Sequence, residues 1–361
     1  MKKSIINKII DSNNGDCILL YSPENRYWFS KFTSSLGYLL IFKDKSYLFL
    51  DGRYITAART SKELTNIDEI VEFSSPNTKG IYELINEKLV QHKAKNVIFE
   101  SNWVYFSFLK EWEQKIKANF IGYNFIALRE IKDQWEVDQI RKACDITHEV
   151  FLEVLNFVKP GITEKELARF VSDTFLKFGA DKLSFDTIVA SGKNGSKPHA
   201  VPSDKKISEN EFVTLDMGCF YNGYCSDQTR TFAIGQNFNP KLKEIYDIVY
   251  KAQSAGIEMI KPGIRCEDVH KKCFEIIEKA GYGEYFTHGT GHGIGIEIHE
   301  EPRNAMGSQT LLQKNMCVTV EPGIYIPGIG GVRIEDDILV KENGYDYLTK
   351  PFRELQIVKV K

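Results

Sequence analysis

Val158-Lys-Pro-Gly-Ile162 recurs as Ile260-Lys-Pro-Gly-Ile264, and the glycines of the two copies, Gly161 and Gly263, lie 102 positions apart. In each copy a helical pattern runs into the Lys-Pro-Gly turn and a second one leaves it, reaching Gly179 and Gly281, again 102 apart. Further on, Val213-Thr-Leu-Asp-Met-Gly218 matches Val318-Thr-Val-Glu-Pro-Gly323 at an offset of 105, which sets Asp216 in register with Glu321. Pro-Gly alone is a frequent turn signal, but four features aligned at nearly one offset are an internal repeat. Each copy reads as helix, turn, helix, then a strand pair carrying acids. Two such units related by a pseudo-twofold axis bring their strands together with helices outside. The expected domain is therefore α+β, with a central antiparallel sheet and a cleft on the sheet face.

Working outward, the length of 361 residues suggests two domains. Residues 1–127 alternate strand signals at 17–21, 38–43 and 47–50 with helical signals at 78–93 and 103–117, which reads as a smaller α/β domain. Residues 128–361, opening on a long amphipathic helix, hold the repeat. In the first domain Tyr27, Trp28 and Phe29 read as exposed aromatics in a loop, suited to an interface or a substrate rim, or else as plugs for that domain's own core.

Composition excludes several functions. Lys+Arg 47 against Asp+Glu 49 gives a net charge of −2, without the basic footprint of a nucleic-acid binder. The apolar runs are strand-sized, far below the roughly 20 residues that span a bilayer, so no membrane partner is expected. The N-terminal isoleucines are interrupted by Asn7, Lys8 and Asp11, which denies them a signal-peptide core and leaves a helical face. Seven cysteines without a CxxC pair read as reduced, buried thiols, and the expected compartment is the cytoplasm.

The chemistry gathers in the repeat. Asp216 and Asp227 sit in strand-like sequence joined by a turn at 218–223, so the two strands should pair with their acids facing each other. Glu321 and Glu335 occupy the corresponding strand, Gly-rich turn and strand of the second copy. A salt bridge to Arg230 or Arg333 would satisfy one buried acid. Four carboxylates on one sheet face repel unless they are protonated or held by cations, and two divalent ions would neutralise them. Asp336 and Asp337 are also acidic, and alternation puts Asp337 on the face of Glu335. Between the acids, His288-Gly-Thr-Gly-His292-Gly-Ile-Gly-Ile-Glu-Ile-His299-Glu concentrates three of the seven histidines, flanked by glycines that let backbone approach closely. His199, in Lys-Pro-His199-Ala, precedes the first strand pair and could border the same cleft. An oxygen-rich set with imidazole suits Mn²⁺, Co²⁺ or Fe²⁺ better than the sulfur sets of structural zinc. Paired ions that activate water and polarise a carbonyl make a hydrolase.

These segments resemble the pita-bread metallopeptidases, in the branch of Xaa-Pro aminopeptidase (aminopeptidase P) and Xaa-Pro dipeptidase (prolidase). The likeness is carried by LDMG, SDQTRT, HGTGHGIG with its following HE, TVEPGIY and GGVRIEDD in the second domain. Ser22-Pro-Glu-Asn-Arg-Tyr-Trp-Phe-Ser30 and Leu50-Asp-Gly-Arg-Tyr54 resemble a creatinase-type N-terminal domain. The resemblance implies two divalent metal ions, Mn first and Co, Fe or Zn as alternatives. It makes Asp216 and Asp227 ligands with Asp227 bridging, His292 and Glu321 ligands of the other ion, and Glu335 the second bridge. Glu321 would also carry the proton of the attacking water, His199 and His299 would contact substrate and stabilise the intermediate, His288 would line the pocket, and Arg333 would support the ligand strand.

The implied reaction is hydrolysis of the bond between an N-terminal residue and a following proline, by a homodimer. Arg303 resembles a position that in prolidases can bind a dipeptide's carboxylate, which supports Xaa-Pro dipeptidase as the alternative. The compact length, Ser184-Phe-Asp-Thr-Ile-Val-Ala-Ser-Gly192 and Tyr-Cys-Ser-Asp227 look more like the small bacterial aminopeptidases and favour that branch. Methionine aminopeptidase in its usual form lacks the first domain. A non-catalytic binding relative would lack ligand positions, and none departs from the pattern.

Overall fold

In the computed structural model, which describes residues 2–73, 78–352 and 354–360, the chain divides into two compact units, Met1–Leu128 and Arg129–Lys361. The first holds a six-stranded mixed sheet. Cys17–Leu20 lies between Tyr38–Phe42, antiparallel to it, and Asn96–Glu100, parallel to it. Leu19, Leu40, Phe49, Val97 and Trp112 pack as its core.

Trp28 and Phe29 do not form an exposed loop: with Tyr27 they lie on the helix Pro23–Ser30, and both are buried. Ser22 caps that helix by accepting from the Asn25 N–H, and Pro23 fits the first turn, where no N–H is needed. The Ser-Pro pair is thus a helix start, and Trp28 and Phe29 on that helix fill the unit's own interior.

The second unit is built from the repeat. Helices Gln134–Phe157 and Pro240–Glu258 each run into a Lys-Pro-Gly turn, and helices Glu164–Lys177 and Cys266–Lys279, 14 residues each, leave it. Gly161 and Gly263 adopt φ of 96° and 87°, a left-handed conformation that is costly for residues with a Cβ. Their N–H groups donate to Ile207 O and Leu312 O, both at 2.8 Å, so the same hydrogen bond closes the same turn in both copies.

Period-2 patterning then sorts the strand residues. In Phe212–Met217, Val213, Leu215 and Met217 face the helices and join Val150, Phe151, Leu167 and Phe175 in one core. Thr214 and Asp216 therefore face the opposite side. In the second copy Val318 and Val320 pack with Val249, Val269 and Ile277, leaving Thr319 and Glu321 on the other face.

Phe212–Met217 pairs antiparallel with Gln228–Ile234, and Cys317–Val320 with Asp336–Lys341. The partner of Asp216 across the first pair is Thr229, and Asp227 lies just before its strand, so the two acids sit diagonally and not opposite each other. The halves meet where Glu335 N donates to Thr229 O at 3.1 Å and the Thr231 hydroxyl donates to Arg333 O at 2.9 Å. Helices outside and antiparallel strands within make this the pita-bread arrangement. No helix among the described residues is long and apolar enough to cross a membrane.

A Cβ at Gly161 or Gly263 would meet nothing within 4 Å, so substitution there carries only the conformational cost. Gly161→Ala and Gly263→Ala should each destabilise the protein by about 1–2 kcal/mol. Urea midpoints at unchanged m value should fall by matching amounts for the two variants.

Candidate active site

A cleft of about 590 Å³ in the second unit is lined by all the site residues expected from sequence: His199, Asp216, Asp227, His288, His292, His299, Arg303, Glu321, Arg333 and Glu335. The acids come from the two strand pairs, one pair from each copy, and the three clustered histidines come from the segment before Cys317–Val320.

Three of the acids use one oxygen to grip the protein. Asp216 Oδ2 accepts from Arg333 Nη2 at 2.7 Å, whereas its Oδ1 is buried without a partner. Glu335 Oε2 accepts from the Thr229 hydroxyl at 2.7 Å, whereas its Oε1 is likewise buried and unpaired. Glu321 Oε1 accepts from the Thr319 hydroxyl at 3.4 Å. His292 donates its Nδ1–H to Gly293 O at 2.9 Å, a contact that can only be made with the proton on Nδ1. Its Nε2 lone pair is then left 3.6 Å from Asp227 Oδ2 and 3.5 Å from Glu321 Oε1. Ligand atoms of Asp227, His292 and Glu335 all lie within 4.8 Å of one another. Orphaned carboxylate oxygens around an oriented imidazole fit divalent cations, because a buried polar atom needs a partner and the protein supplies none here.

Electrostatics point the same way. Burial, reinforced by Glu335, Asp216, Asp337 and Glu321, pushes the Asp227 carboxyl well above the usual range. Burial, with Glu321 and Asp216 adding, does the same to Glu335. Glu321 is pushed up to about 7 by burial, although Arg333 pulls it down. Burial holds His292 down at about 4, in the neutral form that can ligate.

The remaining residues fall into three groups. His288 donates Nδ1–H to Gly289 O at 2.7 Å and accepts at Nε2 from the Tyr325 hydroxyl at 2.8 Å, so both its nitrogens are committed. Tyr325 in turn accepts from Arg333 Nη1 at 2.9 Å. His199 and His299 line the cleft without a protein hydrogen-bond partner among the described residues; the His299 ring stands edge-on to His292 with centroids 4.5 Å apart. Arg303 is on the strand Glu300–Asn304, with its side chain 68% exposed and 3.6 Å from Glu301.

Asp337, opposite Thr319 across its strand pair, does not line the cleft: its Oδ2 accepts from the Asp227 N–H at 3.0 Å and the Cys144 thiol at 3.2 Å. Asp336 takes Arg230, at 2.6 Å, together with Gln253 and Thr349. Arg230 therefore serves Asp336 rather than a cleft acid, and Arg333 is the arginine that reaches Asp216.

Sequence reasoning missed Tyr325, although strand alternation from Glu321 through Gly323 would have placed it on the same face. It also missed Glu164. In sequence this residue is one acid in the first turn of a helix, but in space it accepts from the N–H and hydroxyl groups of both Ser191 and Ser203 and from the Asn194 amide. Glu164 thereby fastens both ends of the loop that carries His199. All seven cysteines are unpaired and buried.

With this geometry in hand, comparison with known proteins is direct. Residues 138–342 match the family model described as metallopeptidase family M24, and residues 5–131 match the creatinase/prolidase N-terminal domain. The chain is 39% identical over 357 residues to the Xaa-Pro dipeptidase of Pyrococcus furiosus, covering 96% of this chain and 97% of that one. Among solved structures, the Xaa-Pro dipeptidase from Bacillus anthracis superposes with a TM-score of 0.92 at 40% identity, covering 99% of each chain. The X-Pro aminopeptidase from Thermotoga maritima superposes with a TM-score of 0.90 at 32% identity, covering 97% of this chain and 100% of that one. The paired acids, the oriented imidazole and full-length likeness to such enzymes agree: the chain belongs to metallopeptidase family M24, with a creatinase/prolidase-type domain ahead of its catalytic unit.

Proposed function

We propose that this protein is a dinuclear-metal Xaa-Pro aminopeptidase, hydrolysing the bond between an N-terminal residue and a following proline. The observation that carries the reading is the set of buried, partnerless oxygens on Asp216 and Glu335 beside Asp227, Glu321 and the His292 Nε2 lone pair. Asp216, Asp227, His292, Glu321 and Glu335 would hold two divalent ions. The oxygen-rich donor set favours Mn²⁺. Such ions, when bound, supply an activated water near neutral pH and polarise the scissile carbonyl.

The chain's own groups do the rest. Glu321 uses Oε1 on Thr319, so its other oxygen, Oε2, is the atom that takes the proton of the attacking water and returns it to the departing proline nitrogen. His199 and His299, without hydrogen-bond partners among the described residues, donate to the oxyanion that forms as the carbonyl carbon becomes tetrahedral. Arg333 holds Asp216 and, through Tyr325, fixes His288 in the wall. The family resemblance implies a homodimer, which sedimentation at working concentration tests.

One observation favours an Xaa-Pro dipeptidase: Arg303 lines the cleft and could receive a dipeptide's carboxylate. Against it, the guanidinium is largely exposed and sits beside Glu301, which leaves room for a longer peptide.

Chelation should abolish activity and lower the melting temperature, and Mn²⁺ should restore both, since removing the ions loses the nucleophile and leaves the acids uncompensated. Full turnover in metal-free protein would contradict the assignment. Asp227→Ala and Glu335→Ala should lose metal together with activity. His199→Ala and His299→Ala should keep metal by elemental analysis but lose roughly 10²–10³-fold in kcat. On specificity, kcat/KM for an Xaa-Pro-Yaa tripeptide should exceed that for the Xaa-Pro dipeptide, and the opposite order selects the dipeptidase.

A further inference from the structure

Among the described residues the His299 ring has no hydrogen bond to fix it, so where the ring points depends on where its backbone is held. That backbone belongs to the turn from Gly295 to Glu300, which is built around one carboxylate. Glu300 Oε1 accepts from Ile296 N at 3.1 Å, Glu297 N at 3.3 Å and Arg129 Nε at 2.8 Å. Its Oε2 accepts from Lys132 Nζ at 3.0 Å. The carboxylate and the ammonium are each 2% exposed and the guanidinium 8%, so a desolvated ionic triad fills the inside of the turn. A Cβ at Gly295 would come within 2.5 Å of Glu300 Oε2, so the glycine makes room for the carboxylate. On the far side Cys225, two residues before Asp227, donates its N–H to Gly295 O at 2.9 Å and its thiol to Glu297 O at 3.3 Å.

We propose that Glu300, neutralised by Arg129 and Lys132, is a positioning residue for His299, setting the rate of the chemical step without touching metal or substrate. The proposal rests on the reading that His299 acts on the intermediate. Neither basic residue belongs to the repeat: both precede its first helix, and they anchor on the second copy's histidine segment about 170 positions downstream. A buried charge with fixed partners is a stiff support, and a shift of about 1 Å in a group that acts on the reacting atoms can cost roughly 10²-fold.

The experiment is a double-mutant cycle in the Mn²⁺-loaded full chain, measuring kcat, KM and metal content for Glu300→Gln, His299→Ala and the double variant. Glu300→Gln should keep its metal and its KM while kcat falls by roughly ten- to a hundredfold, and the same substitution made in His299→Ala should cost less than threefold more. A merely structural role would give losses that multiply in the double variant, and that outcome overturns the proposal. Full kcat in Glu300→Gln overturns it as well. If Glu300→Gln does not fold, Lys132→Met, which leaves the Arg129–Glu300 pair intact, takes its place in the cycle with the same criteria. A His299→Ala enzyme of normal kcat would refute the role of His299 itself, a failure distinct from multiplied losses.

Discussion

Four carboxylates buried around one cleft cannot all be ionised in the absence of cations, and this constraint governs the catalytic unit. Water cannot solvate them there, and each raises the cost of charging its neighbours. The side chain that pairs with one of them, Arg333, divides its donors among Asp216, Tyr325, Thr229 and the Pro198 carbonyl. Without further positive charge, Asp227 and Glu335 are driven towards their protonated forms. The site is thus a fold-imposed excess of negative potential, and divalent ions are the group that matches its donor chemistry.

Much of the surrounding structure serves to hold that excess in place. Thr229 and Thr319 each take one oxygen of a cleft acid, and the Gly293 carbonyl fixes the His292 tautomer. Behind them a second row of acids is disposed of separately. Asp336, on the helix side of the sheet, is paired with Arg230, and Asp337, on the face of Thr319, receives the Asp227 N–H and the Cys144 thiol, so neither lines the cleft. The separation between cleft acids and supporting acids is therefore decided by which donors lie behind the strands.

The two copies share a frame but divide the chemistry unequally. Their turns close with the same hydrogen bond, and the helices that leave those turns have the same length. The first copy starts its second helix with a Thr163 capping box and uses Glu164 to fasten the His199 loop, whereas Arg265 stands at the equivalent start in the second copy without a side-chain cap. The second copy contributes the clustered histidines. A duplicated scaffold thereby supplies matched acids, and unlike insertions between its elements supply the groups that face a substrate.

The repeat, the strand alternation and the acids were legible in the sequence because they rest on local rules: a left-handed glycine after Lys-Pro, period-2 burial in Val-Thr-Leu-Asp and Val-Thr-Val-Glu, and the cost of an acid in an apolar strand. Tertiary structure alone decided the rest, for reasons of distance. Alternation put Asp337 on the face of Glu335, and its place opposite Thr319 agrees, but only the fold shows that the Cys144 thiol and the Asp227 N–H, from elements far away in the chain, take its Oδ2. Tyr27, Trp28 and Phe29 looked like a loop until Ser22 and Pro23 were seen starting a helix that turns Trp28 and Phe29 inward. Glu164 and Glu300 are ordinary acids in sequence, since a carboxylate's role depends on which donors converge on it, and those donors come from segments that only folding brings together.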